Sequence, residues 1–316
     1  MLDIFRYNKK GVDKIELKQL KSNLNKKSNL WIALNKPSNE EIISVSKILE
    51  LHPTTIEDIN SSQTRTKYEE FEEYTLLIFR GVKGITSSSI DTYNLSLIIS
   101  SNYILSVNLE YNSSIEELLK NQRRTEYLLK KGKTYVAHYI FDKEMDRYVN
   151  LKFEFGEELK KIEKEFMENP ERDTLTRIFA KELLLIDLRQ TLESLTDLCL
   201  NLTKPLENYI ENDSFPYFRD IYDHVLKVTE GFKSMLGRIN GMKNLYTSIN
   251  SLKTNEAMRS LTIIMAIMMP LTIITGFYGM NITLPFQQTI HAYLLIIGVM
   301  IVFAIAMILF LKKSLK

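Results

Sequence analysis

Leu261–Phe277 reads LTIIMAIMMPLTIITGF, Tyr278–Ala292 reads YGMNITLPFQQTIHA, and Tyr293–Leu311 reads YLLIIGVMIVFAIAMILFL. From Ser260 to Leu311, 52 residues contain no Asp, Glu, Lys or Arg. A helix that crosses a bilayer needs roughly 17–25 largely apolar residues. The second apolar segment meets that length alone. The first meets it when a helix already under way continues past Arg259. A pair of buried core helices is the other reading, but uncharged runs of this length are rare in soluble domains. The intervening segment carries Gly, Asn and Pro, the residues of a turn, and no Lys or Arg. Lys253 and Arg259 precede the first span, and Lys312, Lys313 and Lys316 follow the second. The bias of basic residues toward the cytoplasmic side then predicts cytoplasmic termini and a short external loop.

Outward from this tail the composition changes. The chain has 316 residues, with 41 Lys+Arg against 39 Asp+Glu and a formal charge of +2. Mean hydropathy is −0.13, the value of an ordinary soluble protein, because a charged body offsets the uncharged tail. Near-zero charge argues against a general nucleic-acid binder. A single cysteine, Cys199, excludes an internal disulfide and a Cys-rich zinc site. His52, His138, His224 and His291 are scattered, without an HxH or HxxxH pair. Met1–Lys10 has no apolar core of a signal peptide, so the body is expected to remain in the cytoplasm. No Walker A loop and no nucleophile–base motif stands out, which argues against an ATP-driven pump and against an enzyme.

Residues 1–130 read as a mixed α/β segment. Trp31-Ile32-Ala33-Leu34 is a short apolar run. Glu40–Leu51 spaces Ile43, Ile48 and Leu51 like a helix face, with Ser38 as N-cap and Glu41 three residues on. Tyr74–Val82 and Tyr93–Ile99 read as strands. Tyr103–Leu109 follows after Ser100-Ser101-Asn102 and predicts a hairpin, and Gly84–Ser89 reads as a turn-rich connection. Residues 131–215 read as long antiparallel helices over Tyr135–Asn169 and Asp173–Glu211, split by Asn169-Pro170. Leu184, Leu188, Leu192, Leu195, Leu198 and Leu202 recur at helical spacing. Ser214-Phe215-Pro216 starts a further helix. Running from Pro216 to Phe277, it would extend about 90 Å at 1.5 Å per residue. It would comprise a stalk over 216–260 and the first span over 261–277. The loop 278–292, the second span 293–311 and a basic tail 312–316 complete the chain.

Tyr278-Gly279-Met280-Asn281 follows a helix that contains Met269-Pro270-Leu271-Thr272 and ends Gly276-Phe277. Thr254-Asn255-Glu256-Ala257-Met258 precedes it. In the body stand His52-Pro53 with Glu57-Asp58-Ile59, and Pro216-Tyr217-Phe218-Arg219-Asp220-Ile221-Tyr222-Asp223-His224. From Trp31 to the C-terminus these segments resemble the CorA family of magnesium channels, whose signature is a GMN tripeptide after the first of two C-terminal spans. The resemblance implies an α+β cytoplasmic domain, a mixed sheet with long helices. A stalk helix continuous with the first span follows, and five copies form a funnel around one pore in the bilayer. Family members often continue GMN with an acidic loop. Here Ile282-Thr283-Leu284-Pro285-Phe286-Gln287 carries no carboxylate, so an external acidic ring that would concentrate cations is absent from this loop.

Mg2+ is small and keeps several of its waters when bound. Neutral oxygens that hydrogen-bond to a hydrated ion suit it better than a carboxylate cage. The resemblance places the selectivity filter at Gly279, Met280 and Asn281. Asn281 would offer an amide oxygen, and Gly279 would let its carbonyl approach closely. Taken alone, Gly279 and Asn281 also fit a helix C-cap. Asn255, Met258, Leu261, Met265, Met269, Thr272 and Gly276 step by three and four and share one helix face. Asn255 and Thr272 supply oxygens, while Leu261 and the methionines supply an apolar constriction that can gate by dewetting. Simple packing is the alternative for any one of them. All but Met265 and Gly276 match the family's pore-lining positions. Met265 is placed on that face by spacing alone.

The resemblance also implies a regulatory metal between neighbouring subunits, held by Asp58 and Asp220, with Glu57 and Asp142 at a weaker site beside it. Solvated surface acids are the other reading of these four. The basic residues Lys312, Lys313 and Lys316 fit either a collar at the inner pore mouth or topology anchors. The expected function is passive Mg2+ transport across the cell membrane by a homopentamer, closed by internal Mg2+. Transport of Co2+, Ni2+ or Zn2+ is the alternative, and a non-conducting metal sensor is a second one.

Overall fold

A computed structural model describes residues 1–8, 10–24, 29–62, 64–86, 89–170, 172–204, 209–280 and 290–314. Two compact units emerge, Met1–Met242 and Lys243–Lys316.

The first unit is built on seven strands: β1 (Leu2–Asn8), β2 (Gly11–Lys14), β3 (Leu30–Asn35), β4 (Lys67–Glu70), β5 (Tyr74–Ile85), β6 (Ile90–Ser100) and β7 (Tyr103–Asn108). Their order is β2-β1-β3-β7-β6-β5-β4, and only the β3–β7 pair is parallel. The Trp31–Leu34 run lies in β3 and is fully buried, because helices cover both faces of a central strand. Register partners form a continuous apolar row across the sheet, Ile4–Ile32–Leu105–Ile98–Leu76. The helices α1 (Leu17–Leu24), α2 (Asn39–Ile48) and α3 (Pro53–Asn60) pack onto this row. The opposite face carries Phe5, Trp31, Ile104 and Phe79. There Phe79 meets Phe141 with ring centroids 4.1 Å apart.

The hairpin β6–β7 forms through Ser101-Asn102. The Gly84–Ser89 connection is tighter than its turn-forming residues suggest, since Gly84 pairs with Asp91 and Ile85 with Ile90. The Ser38 capping box is present, with Ser38 Oγ accepting from the Glu41 N–H at 3.2 Å and Glu41 Oε2 accepting from the Ser38 N–H at 2.9 Å. The buried face of α2 is displaced from the expected one. Ile43 is 46% exposed, and Ile42 and Val45 take the core side with Leu49 and Leu51 beyond them. Ile42 and Ile43 are adjacent, about 100° apart around the helix, so only one can face the sheet.

After α4 (Ser113–Lys120) and α5 (Gln122–Lys131) come the long helices α6 (Lys133–Glu168) and α7 (Arg172–Leu202). All six leucines of the expected α7 row are buried. Ion pairs of Glu165 with Arg177 and of Glu158 with Lys181 set α6 and α7 antiparallel. The expected helix to Glu211 stops at Leu202 instead. Lys204-Pro205 follows; proline lacks the N–H a helix needs and disfavours helical backbone in the residue before it. A short 3-10 turn, Asn212–Ser214, leads into α8 (Phe215–Tyr278), a 64-residue helix with Pro216 in its first turn. Within the first unit α8 runs parallel to α6: Phe155 meets Phe232 at 6.1 Å, and Glu163 accepts from Arg238 Nε at 2.8 Å. The second unit contains the rest of α8 and α9 (Ile290–Ser314).

Candidate functional site

In the second unit α8 contains an apolar stretch long enough to cross a membrane. Asn255, Met258, Leu261, Met265, Met269, Thr272 and Gly276 are all exposed, and the four apolar side chains among them are each more than half exposed. Ile263, Ile267, Pro270 and Ile274, on the opposite side of the helix, are partly covered. Thr272 Oγ1 donates to the Met268 carbonyl at 2.9 Å, which leaves its lone pairs directed outward as acceptors. Asn255 borders a polar groove of about 350 Å³, lined also by Thr247, Asn250, Ser251 and Thr254. Pro270 removes the donor that the Ala266 carbonyl would otherwise receive within the helix.

At the end of α8 the Gly279 N–H donates to the Thr275 carbonyl at 2.9 Å, and the Met280 N–H to the Phe277 carbonyl at 3.4 Å. A Cβ at Gly279 would stand 3.1 Å from the Thr275 oxygen, so glycine allows the chain to leave the helix here without displacing backbone. Asn281 and the loop that follows it, through residue 289, lie outside the described residues, as does Lys316.

The four carboxylates of the first unit fall into two pairs. Glu57 and Asp58 lie on α3, which starts at Pro53 with the His52 ring accepting from the Thr54 N–H at 3.3 Å. Asp142 lies on α6 and Asp220 on α8. Both act on the titration of His138, which burial holds below its ordinary pKa while the two acids oppose that shift. Helices α3 and α6 pack on opposite faces of the sheet. Among the described residues no three His, Cys, Asp or Glu groups converge to hold a metal ion within one chain.

Two residues enter this site that the sequence reading passed over. Lys67, on β4, bridges the carboxylates of Asp58 and Glu69, the latter at 3.0 Å. Burial works against its charge, yet the two acids raise its pKa above the ordinary lysine value. No local periodicity announces this contact, because the edge of the sheet creates it. His138 stands one helical turn before Asp142, and its ring meets Tyr217 at 5.3 Å and Phe218 at 6.1 Å. Here the i,i+4 spacing of His138 to Asp142 was a usable signal. The same spacing places His224 Nε2 3.9 Å from Asp220.

Known proteins bear on this arrangement. Residues 26–313 match the family model of the CorA-like Mg2+ transporter protein. The chain is 29% identical over 290 residues to the cobalt/magnesium transport protein CorA of Thermotoga maritima, covering 90% of this chain and 82% of that protein. It is 24% identical to a putative metal ion transporter of Bacillus subtilis, covering 88% of this chain and 87% of that one. Among solved structures, the CorA magnesium transporter of Methanocaldococcus jannaschii superposes with a TM-score of 0.81 at 18% identity, over 99% of this chain and 98% of that one. The mixed sheet and the single helix that leads from it into an apolar span are thus a shared architecture, and the chain belongs to the CorA-like family of membrane transporters for divalent cations.

Proposed function

We propose that five copies of this chain form a passive Mg2+ channel in the cell membrane, with two spans per copy and both termini in the cytoplasm. The observation that carries this reading is the row on α8. Seven residues step along one helix face, Leu261 and the methionines among them, and from Ile263 onward the opposite face at Ile263, Ile267, Pro270 and Ile274 is partly covered. A helix that only anchored the chain in lipid would need no oxygen donors on such a row. Here Asn255 and Thr272 offer them at either end of an apolar stretch. Five such rows around an axis make a narrow path with polar ends, able to pass a hydrated ion when wet and to block it when dry. Two spans alone cannot enclose such a path, so several copies must. The filter is assigned to Gly279, Met280 and Asn281, outside the membrane-spanning part of α8.

Regulation is assigned to the carboxylates. Asp58 on α3 of one copy would face Asp220 on α8 of the next, with Glu57 and Asp142 alongside. The donors are hard oxygens, which suit Mg2+. Carboxylates of two copies repel, and a cation between them removes the repulsion. Internal Mg2+ would then favour the closed arrangement by its differential affinity for it.

The test is Mg2+ entry into liposomes that contain the purified protein and a trapped magnesium-sensitive dye, under an inside-negative potential. Wild type should conduct, Asn281→Ala should abolish the signal, and Asp220→Lys should relieve inhibition from the cytoplasmic side. The exposed thioethers of Met258, Met265 and Met269 favour a second reading, in which a softer ion such as Co2+ or Ni2+ is the cargo. Entry of those ions without Mg2+ would establish it. Absence of all divalent flux from a verified pentamer would leave a metal sensor.

A further inference from the structure

The first unit contains a polar cavity remote in chemistry from these carboxylates. It has a volume of about 420 Å³ and is lined by Arg65, Thr66, Arg80, Gln190, Thr191 and Ser194. A second cavity of about 230 Å³ shares Arg80, Gln190 and Thr191 with it. Arg65 and Thr66 lead into β4, Arg80 projects from β5, and the other three lie on one stretch of α7.

Among the described residues neither guanidinium forms a salt bridge. Three cationic side chains of α7 are engaged by contrast. Arg177, Lys181 and Arg189 each hold a glutamate, Arg189 at 2.7 Å from Glu193. Among the described lining residues the acid is Asp187, which lines the smaller cavity and makes no ion pair with Arg80. Two permanent positive charges with ten N–H donors between them therefore converge on a space that supplies little negative charge. The remaining lining groups are neutral and can donate. Thr191 Oγ1 and Ser194 Oγ spend their protons on the Asp187 and Gln190 carbonyls, at 3.1 and 3.2 Å, bonds that a rotating hydroxyl can exchange for a ligand. The guanidinium fork matches phosphate oxygens bidentately, and each oxygen left over finds a hydroxyl or amide. The volume exceeds what one small anion fills and falls within the range of small-molecule sites.

We propose that Arg65 and Arg80, with Thr66, Gln190, Thr191 and Ser194, form a binding site for a soluble oligophosphate anion. Its position has a consequence for the chain. Arg65 and Thr66 immediately precede Lys67, the residue that grips Asp58, so an anion held there orders the start of β4.

The experiment is a calorimetric titration of inorganic triphosphate into the full-length protein in detergent micelles, with chelator present so that no divalent ion takes part. Orthophosphate and ATP are run in parallel. Wild type is expected to bind triphosphate more tightly than orthophosphate and to lose affinity as salt rises. Arg65→Gln and Arg80→Gln should each weaken binding by roughly tenfold or more, as expected for charge-assisted hydrogen bonds. Arg80→Lys, which keeps the charge, should retain part of the affinity and guards against a folding defect in the glutamine variant. Lys47→Gln with Arg123→Gln removes two exposed charges elsewhere and should change nothing. ATP binding as tightly as triphosphate also supports the site, since its tail carries the same groups. The proposal is overturned if millimolar triphosphate does not bind. It is overturned equally if the two arginine variants bind like wild type, or if the control pair loses as much as they do.

Discussion

The ammonium of Lys67 sits on the carboxylate of Asp58, so the acid assigned to metal sensing already carries a cation from its own chain. The two residues are nine positions apart, on α3 and on the edge strand β4, and both are largely shielded from solvent. A divalent ion arriving at Asp58 must displace or share this partner. With Asp58 as the proposed sensor, Lys67→Met should therefore lower the Mg2+ concentration that inhibits flux. A partly shielded pair is worth up to about 1 kcal/mol, which corresponds to a shift of about two- to fivefold. Flux inhibition by Mg2+ on the cytoplasmic face measures it. An unchanged or raised inhibitory concentration would remove Lys67 from the sensing site.

Gly279 admits no side chain without cost. Its Cβ position lies 3.1 Å from the Thr275 carbonyl oxygen, on backbone that closes the last turn of α8. Gly279→Ala should leave assembly intact, as read by size-exclusion chromatography, while cutting Mg2+ flux severely. Normal flux in this variant would show that the helix end tolerates displacement and that the filter lies elsewhere.

Glu144 is fully buried on α6 and gathers three donors: the Tyr93 hydroxyl, Ser114 Oγ at 2.8 Å and Asn112 Nδ2 at 3.0 Å. Asn112 in turn caps α4 by accepting from the Ile115 N–H at 2.9 Å. Burial, with Glu144 beside it, raises the Tyr93 pKa, so the phenol remains a donor at any working pH. Glu144→Leu would take the acceptor from the Tyr93 and Ser114 hydroxyls and leave Asn112 Nδ2 only the Tyr93 oxygen at 3.2 Å, at a cost of about 2 kcal/mol or more. Urea unfolding followed through Trp31, the sole tryptophan and fully buried, reads this directly.

His138 supplies a pH dependence. Burial lowers its pKa in the folded chain below the ordinary 6.5, against the pull of Asp142 and Asp220. The unfolded chain thus takes up its proton first as pH falls. The associated stability is present in full above the unfolded pKa and is lost as pH drops from there through the folded value. Unfolding free energy should decline between neutral pH and pH about 5, and His138→Gln should flatten that decline. An identical slope in the variant would assign the effect to other groups.

What could be read from the chain alone follows from how local each signal is. An uncharged tail flanked by lysine and arginine is a matter of composition, and it located the apolar stretch of α8 and the shorter one of α9 without any packing. The leucine row of α7 and the Ser38–Glu41 cap are decided within a few residues, and both are present as expected. That Asn255 to Gly276 share one face of α8 follows from helical period alone.

Only the tertiary structure decided the rest. β1 and β2 have no distinct pattern, and the parallel pairing of β3 with β7 joins segments more than 70 residues apart. Whether Ile42 or Ile43 faced inward depended on where the sheet lay. The Lys67–Asp58 bridge and the two arginines around one cavity arise where a strand edge meets helices from distant parts of the chain. Composition and helical period are summed along the sequence. Pairing across a sheet depends on which distant segments come together, and so appears only once the chain has folded.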